Sequence, residues 1–436
     1  MAKKAPTPPA RRRKSISLWI AGFFALAFAS SCWAAPPDGL FGDWDGLLPY
    51  LSDRGVDVQA TYIAETAWNF SGGKQQAVRY ADQFALSADF DLKKIFGLNG
   101  AKLRIALTNR DGRDLTQDAV GNEVQVQEIY GDGQNLRLAD VSYQQALGPH
   151  VELRLGRVHE SDDFAHFSCE FQNLAFCSAP FAILVDSGWN NPPLAVWGGR
   201  IKTNWNGWYA ETGAYQVNPT YALSGNGFKL DTSGDTGTLY PVEAGWGGKL
   251  GSQGLASSVK AGAYYDSSNA PDLYEDENGN PLALSDLPAR QRDGRSGAYL
   301  MVLQQVTQGP SSPDSGITAF AHLTQADRNT ALLEKSYTVG AMWKAPLQVR
   351  SDDTLEIAGA RFEFNSGLRA EEQLYNAVHD GTLAIQKAET DLTIQYNAKL
   401  APFLSLGPNV QYIMRPNGYA VIANAWVMGL QLKVKL

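Results

Sequence analysis

The stretch NAWVMGLQLKVKL, residues 424–436, decides the fold. Its even-numbered positions from Trp426 to Leu436 are all apolar, while its odd-numbered positions from Gly429 to Lys435 include a glutamine and two lysines. Because successive side chains of a β-strand point to opposite faces, this strand has one apolar face and one charged face. A half-buried strand of a soluble sandwich has this pattern. A transmembrane strand with lipid on one side and water on the other has it too.

The same alternation recurs along the chain and predicts sixteen strands. In one of them Arg361 falls in the apolar row, which predicts a β-bulge at that strand. The predicted strands are 56–70, 80–92, 101–110, 135–146, 150–158, 196–206, 208–217, 238–248, 257–266, 297–306, 316–325, 336–345, 353–364, 389–399, 403–414 and 424–436.

The connections between these strands alternate in length. Those that follow odd-numbered strands are nine residues or longer, and those that follow even-numbered strands are nine residues or shorter. Outer-membrane barrels have one rim of long loops and one of short turns, whereas a sandwich has no reason to sort its loops. After residue 34 no apolar run approaches the roughly 18 residues of a spanning helix. The sequence therefore predicts an all-β fold: a 16-stranded antiparallel transmembrane β-barrel, residues 56–436, with long extracellular loops.

Two segments precede the predicted barrel. Residues 1–34 hold six basic residues and no acid, an apolar run, and small residues near Cys32, which predicts a secretory signal peptide. Lipidation of Cys32 is the alternative. Residues 35–55 are predicted to be an N-terminal periplasmic segment with a short amphipathic helix. The formal net charge is −8, and loss of the signal leaves −14, which argues against nucleic acid as a partner.

Enzyme and metal motifs are weak in this sequence. It has no nucleophile elbow and no phosphate loop, and the five histidines show no ligand spacing, so we predict no enzyme, no cofactor and no metal. Cys169 and Cys177, eight residues apart in an exported protein, predict a disulfide. They lie in the longest connection, 159–195, whose phenylalanines are unsuited to water. We expect this connection to fold inward and narrow the barrel.

Several stretches resemble the carbohydrate-selective porins of the OprB family. The resemblance covers nearly the whole chain after the signal, and its most specific part is the stretch from Cys169 to Cys177. The matching stretches are 40–46, 79–86, 169–177, 214–219, 241–246, 263–268 and 294–299. The resemblance implies a barrel in the bacterial outer membrane that passes monosaccharides such as glucose by diffusion.

The resemblance also implies a constriction. Arg110 and Arg113 look like the arginines at its narrowing, Glu128 like their acidic counterpart, and Arg157 like a third contributor. Asp132 stands where relatives often carry a basic residue, which would loosen sugar preference or favour a cation. Facing guanidinium and carboxylate groups can replace the water shell of a sugar, whose hydroxyls both donate and accept. Secondary candidates for the lumen are Glu65, Asp89 and Arg200.

The implied partners are outer-membrane lipid, small sugars and the barrel-assembly machinery, and a homotrimer is left open. Two other functions are left open as well. One is a general or cation-preferring diffusion porin. The other is an exported β-rich carbohydrate-binding protein that stays soluble, which would remain in the supernatant without detergent.

Overall fold

The computed structural model describes residues 39–436 apart from residues 132, 311 and 348. The predicted signal peptide and Cys32 lie outside the described residues. The strands are β1 (Val56–Gly73), β2 (Ala77–Asp91), β3 (Ala101–Gly112), β4 (Leu136–Leu147), β5 (Val151–Val158), β6 (Val196–Trp205), β7 (Trp208–Val217), β8 (Gly237–Leu250), β9 (Leu255–Asp266), β10 (Ala270–Asp276), β11 (Ala289–Arg292), β12 (Arg295–Gln305), β13 (Gly316–Ala326), β14 (Leu333–Lys344), β15 (Thr354–Phe364), β16 (Ala388–Ala401), β17 (Leu404–Met414) and β18 (Ala423–Lys435).

Sixteen of these strands form one closed antiparallel barrel. Each barrel strand pairs with its neighbours in chain order, and β1 pairs with β18 to close the ring. The strands β10 and β11 form a separate hairpin within one long connection. The sixteen strands predicted from the alternation are all present, and their ends differ from the predicted ends by at most three residues. The 16-stranded antiparallel barrel is therefore confirmed.

Two local predictions were wrong. The connection after the first strand is not a long loop, because β1 and β2 extend toward each other and leave only residues 74–76 between them. Arg361 lies in no bulge, because β15 pairs in regular register with β16 and, at Arg361, with β14 as well. Arg361 keeps its outward position and donates to Glu363 on the same face, 3.2 Å away. Register shifts occur at other places, among them Ala106 and Leu107 between β3 and β4, and Leu333 and Lys335 between β14 and β15.

The outer face of the wall is apolar and the inner face is polar where the last strand runs. Trp426, Met428 and Leu430 are 42–45% exposed on the outside of β18, whereas Gln431 is 1% exposed on the inside. This is the arrangement that residues 424–436 predicted. An apolar outer wall suits acyl chains, which cannot hydrogen-bond a polar side chain.

The helices lie in the N-terminal segment and in the connections, and none of them is part of the barrel wall. They are α1 (Leu47–Asp53), α2 (Leu92–Phe96), α3 (Glu160–Asp163), α4 (Phe181–Asp186) and α5 (Ser366–Val378). The predicted N-terminal helix is α1, which begins after Gly46 and ends before Gly55, whose φ is +86°. Within the described residues, no helix combines the length and the apolar character that a membrane crossing requires.

The connection 159–195 lies inside the barrel, as expected from its phenylalanines. Five of them are at most 7% exposed: Phe164, Phe167, Phe171, Phe176 and Phe181. They pack against aromatic side chains from the inner faces of the wall: Tyr215, Tyr264, Tyr299, Phe320 and Phe362. The inside of this barrel is therefore not uniformly polar, because one part of it receives an apolar loop.

Hydrogen bonds hold the same loop to the opposite part of the wall. The Gln172 amide nitrogen donates to Gln395 of β16, and the Gln172 side chain accepts from Asn409 of β17. The Asn173 side chain donates to Asp391 and Gln411, at 3.2 and 3.0 Å. Contacts on both sides of the lumen fix the loop across the barrel.

Candidate functional site

We call the connection 159–195 the inward loop. A cavity of about 560 Å³ remains between this loop and the wall, and we call it the central cavity. Part of its lining is apolar, from Phe167, Leu174, Phe181 and Trp189. The rest is largely polar or charged. Its charged or hydrogen-bonding residues are Gln83, Arg110, Glu123, Gln125, Glu128, Tyr130, Asp162, His166, Ser178, Asn190, Asn191 and Lys433.

Arg110 comes from the wall. It lies on the inner face of β3, directly opposite Gln83 of β2 in the antiparallel register. Its Nε donates to the Gln83 side-chain oxygen at 2.8 Å, and its Nη2 donates to the Pro192 carbonyl oxygen at 3.2 Å. These contacts tie the guanidinium both to the wall and to the inward loop, so its position in the central cavity is defined.

Glu128 comes from the connection 113–135, which also enters the barrel. Its amide nitrogen donates to the Gln172 carbonyl at 2.9 Å, which joins this connection to the inward loop. Burial raises the pKa of Glu128 above its ordinary value, and the positive charges of Arg110 and Lys433 oppose that rise. A Glu128 carboxylate oxygen lies within 4.8 Å of both sulfur atoms of the Cys169–Cys177 disulfide.

The disulfide predicted from the sequence is present in the structure. It closes the part of the inward loop that carries Gln172 and Asn173. Lys433, on the inner face of β18, donates from its Nζ to the Cys169 carbonyl oxygen at 3.0 Å. The disulfide, Glu128 and Lys433 therefore meet at one edge of the central cavity.

This arrangement suits a neutral polyhydroxylated solute. Guanidinium, ammonium and amide groups donate hydrogen bonds, and the carboxylates accept them, so both roles of a sugar hydroxyl are served. The apolar part of the lining can face the C–H groups of a sugar ring. The groups sit on two opposite supports, the wall and the loop, so a solute between them meets both.

Two of the predicted constriction residues lie elsewhere. Arg113 does not line the central cavity: its side chain is 67% exposed, and its Nη2 lies 2.6 Å from Asp118. Arg157 does not line the central cavity either, because it is buried near the C-terminal end of β5, beneath the connection 218–236. Its Nε donates to the Ala195 carbonyl and its Nη1 to the Lys229 carbonyl. Asp132 lies outside the described residues.

The three secondary candidates for the lumen also lie apart from the central cavity. Glu65 points inward from β1 but is fully buried, and its Oε1 accepts from Gln431 at 2.6 Å. Arg200 is held by Glu152 and Asp163, both at 2.7 Å. Asp89 lines a different space nearer the short-turn rim, where it pairs with Arg104.

The sequence prediction missed several residues of the central cavity. Lys433 was detectable, because the alternation of residues 424–436 puts it on the inner face. Gln83 was also detectable, since it lies opposite Arg110 once β2 and β3 are paired. Asp162, His166, Asn190 and Asn191 lie in an irregular loop, where no period indicates which side chains reach the cavity.

Comparisons with known proteins agree with this architecture. The model of the family described as "Carbohydrate-selective porin, OprB family" matches residues 75–436. Porin B of Pseudomonas aeruginosa is 33% identical over 451 residues, which covers 99% of each chain.

Solved structures give the same result. The high-pH structure of Pseudomonas putida OprB is 33% identical with a TM-score of 0.89, and the match covers 93% of this chain and all of that one. The low-pH structure of that protein, matched at 24% identity with a TM-score of 0.60, supports the fold alone. Porins of this family are channels rather than enzymes. Their setting is the bacterial outer membrane, where lipid surrounds the wall and small sugars pass through the lumen. This chain belongs to the OprB family of carbohydrate-selective porins and is an outer-membrane sugar channel.

Proposed function

We propose that the channel passes monosaccharides such as glucose by passive diffusion, and that Arg110 and Glu128 line its constriction. The observation that carries this proposal is the convergence of Arg110, Glu128 and Lys433 on one cavity of about 560 Å³ inside the barrel. Side chains held by the wall and by the disulfide-closed inward loop lose little conformational freedom when they bind a solute. Binding stays weak because Arg110 and Lys433 already donate to protein acceptors, so the solute can leave again.

Liposome swelling tests this proposal. Proteoliposomes with wild type or Arg110→Ala are compared in glucose, a disaccharide and an amino acid. We expect Arg110→Ala to admit the disaccharide severalfold faster, because removing the guanidinium widens the cavity. We also expect a weaker preference for glucose, because the variant lacks the hydrogen-bond donors of Arg110. The matched control is Arg290→Ala, since Arg290 lies on the β10–β11 hairpin and is 45% exposed.

The proposed constriction would be wrong if Arg110→Ala and wild type admit all three solutes alike. If Arg290→Ala changes solute uptake by the same amount, the effect comes from loss of positive charge anywhere in the protein. Bilayer conductance of the same samples confirms that equal amounts of channel are inserted.

A cation-preferring pore is a second candidate, and the charge of the central cavity favours it. Three carboxylates line the cavity, from Glu123, Glu128 and Asp162, against two basic side chains, from Arg110 and Lys433. An excess of potassium over chloride permeability in a salt gradient would support it. A permeability ratio near one would leave the neutral-sugar channel as the better description.

We also propose that residues 1–34 are removed as a signal peptide, that residues 35–55 remain as a periplasmic segment, and that the barrel-assembly machinery inserts residues 56–436. N-terminal sequencing of the outer-membrane form tests the first step. A homotrimer is supported by the exposed apolar side chains of Leu223, Phe228 and Leu230 on the connection 218–236. Light scattering in detergent distinguishes a trimer from a monomer.

A further inference from the structure

Two further spaces lie between the central cavity and the short-turn rim. The first vestibule, about 1130 Å³, is lined by the rim ends of β1 to β4 and by the segment around α1. The second vestibule, about 380 Å³, is lined by the rim ends of β13 to β17. Each of these spaces shares a lining residue with the central cavity.

The central cavity shares one charged lining residue with each vestibule. Of the described residues, Asp162 is the one that lines both the central cavity and the first vestibule. Lys433 is the one that lines both the central cavity and the second vestibule. The two shared residues therefore carry charges of opposite sign.

Asp162 is held in place by the charged groups around it. Its carboxylate accepts from His159 Nδ1 at 2.9 Å, and Arg154 of β5 lies 3.9 Å away. The next residue, Asp163, anchors α3 to the wall through Arg154 and Arg200, at 2.9 and 2.7 Å. About a third of the Asp162 side chain stays exposed to the passage.

Asp162 also keeps its charge. Burial alone would raise its pKa, but His159, Arg154 and His166 outweigh burial and lower the pKa to about 2. Asp140 of β4 and Asp163 are the acidic groups nearby, and both are bound by Arg154. Lys433, in turn, is held by the Cys169 carbonyl, with Glu170 at 3.8 Å.

We propose that Asp162 and Lys433 are specificity-determining residues at two exits of opposite charge. Cations leave preferentially past Asp162 and anions past Lys433, while neutral sugars pass by either route. In a narrow passage with low-dielectric walls, a fixed charge raises the local concentration of its counter-ion and excludes the like-charged ion. This inference rests on the channel and the central cavity of the proposed function, and not on a preference for glucose.

Reversal potentials in planar bilayers under a potassium chloride gradient test the proposal. We expect Asp162→Asn to lower the potassium-to-chloride permeability ratio about twofold and Lys433→Gln to raise it about twofold. The matched controls change the same charges away from the passage. Asp286→Asn alters an exposed residue of the connection that holds β10 and β11, and Lys93→Gln alters an exposed residue of α2, and both should leave the ratio unchanged.

The conservative variants Asp162→Glu and Lys433→Arg separate charge from structure. Recovery of the wild-type ratio in both supports the proposal, and heat-modifiable migration in gels shows that each barrel is folded. The proposal is overturned if Asp162→Asn behaves like Asp286→Asn, if both charge-removing variants shift the ratio in one direction, or if the conservative variants fail to restore it. An unchanged Arg110→Ala in liposome swelling contradicts the proposed constriction but not these exits, so the two failures are distinguishable.

Discussion

Glu128 and Asp162 are two carboxylates of one cavity that respond to pH in different ways. Burial raises the pKa of Glu128, whose charged neighbours are Arg110 on β3 and Lys433 on β18, with Glu65 of β1 behind it. The charged groups around Asp162 lower its pKa to about 2. As the pH falls, Glu128 therefore binds its proton earlier than an ordinary glutamate does, and Asp162 remains charged throughout.

This difference predicts a pH-dependent ion selectivity. As the pH is lowered we expect the cation preference of wild type to fall at a higher pH than an ordinary glutamate would give, because Glu128 becomes neutral there while Arg110 and Lys433 stay positive. Glu128→Gln should start at a lower value and show a smaller fall, because Glu123 lines the same cavity and burial raises its pKa too. Asp162→Asn should show the fall of wild type from a lower starting point. Reversal potentials measured along a pH series check all three, and a Glu128→Gln curve that follows wild type would contradict the assignment.

At the scale of elements, the inward loop is held by packing on one side and by hydrogen bonds on the other. Phe171 is fully buried, and its ring centroid lies 5.1 Å from that of Phe176 and 6.3 Å from that of Phe320 on β13. The disulfide keeps Phe171 and Phe176 in one short segment. Loss of a central ring should therefore loosen the whole segment that carries the edge of the central cavity.

Phe171→Ala is expected to weaken the docking of this loop by about 3–5 kcal/mol, the usual cost of removing a buried phenylalanine ring. The barrel itself should still form, since its strands are paired independently of the loop. We expect larger and noisier single-channel conductance and faster proteolysis within residues 159–195. Phe96→Ala makes the same change on α2, where the side chain is 71% exposed, and it should behave like wild type. Equal conductance in the two variants would show that Phe171 does not hold the constriction.

The sequence predicted the elements in which apolar and polar side chains alternate. Alternation located all sixteen barrel strands, and it also held information about the site. Arg110 has the opposite parity to Ile105 and Leu107, which places it inside, whereas Arg157 shares the parity of Leu153 and Leu155 and lies outside the lumen. Arg113 follows the end of β3, where parity no longer applies. Asp162 depends on the path of a 37-residue connection, which no local pattern determines.

For the whole molecule, the apolar outer wall is what makes the barrel a membrane protein. Leu392 and Ile394 on β16 are 43% and 45% exposed, and Ile357 on β15 is 53% exposed. In water such a surface would favour association, whereas acyl chains cover it without loss of hydrogen bonds. The closed ring leaves no unpaired strand edge in the hydrocarbon.

Ile394→Arg tests this view of the outer wall. Ile394 lies near the middle of β16 and points outward, so in the bilayer an arginine there should destabilise the folded barrel by about 2–4 kcal/mol. In a protein that stays in water, an arginine at an exposed position would be close to neutral. The control is Leu383→Arg, because Leu383 is 50% exposed on the connection between α5 and β16, beyond the strands. Urea titrations of folding into lipid vesicles measure both variants, and equal stabilities would mean that this part of the wall does not face lipid.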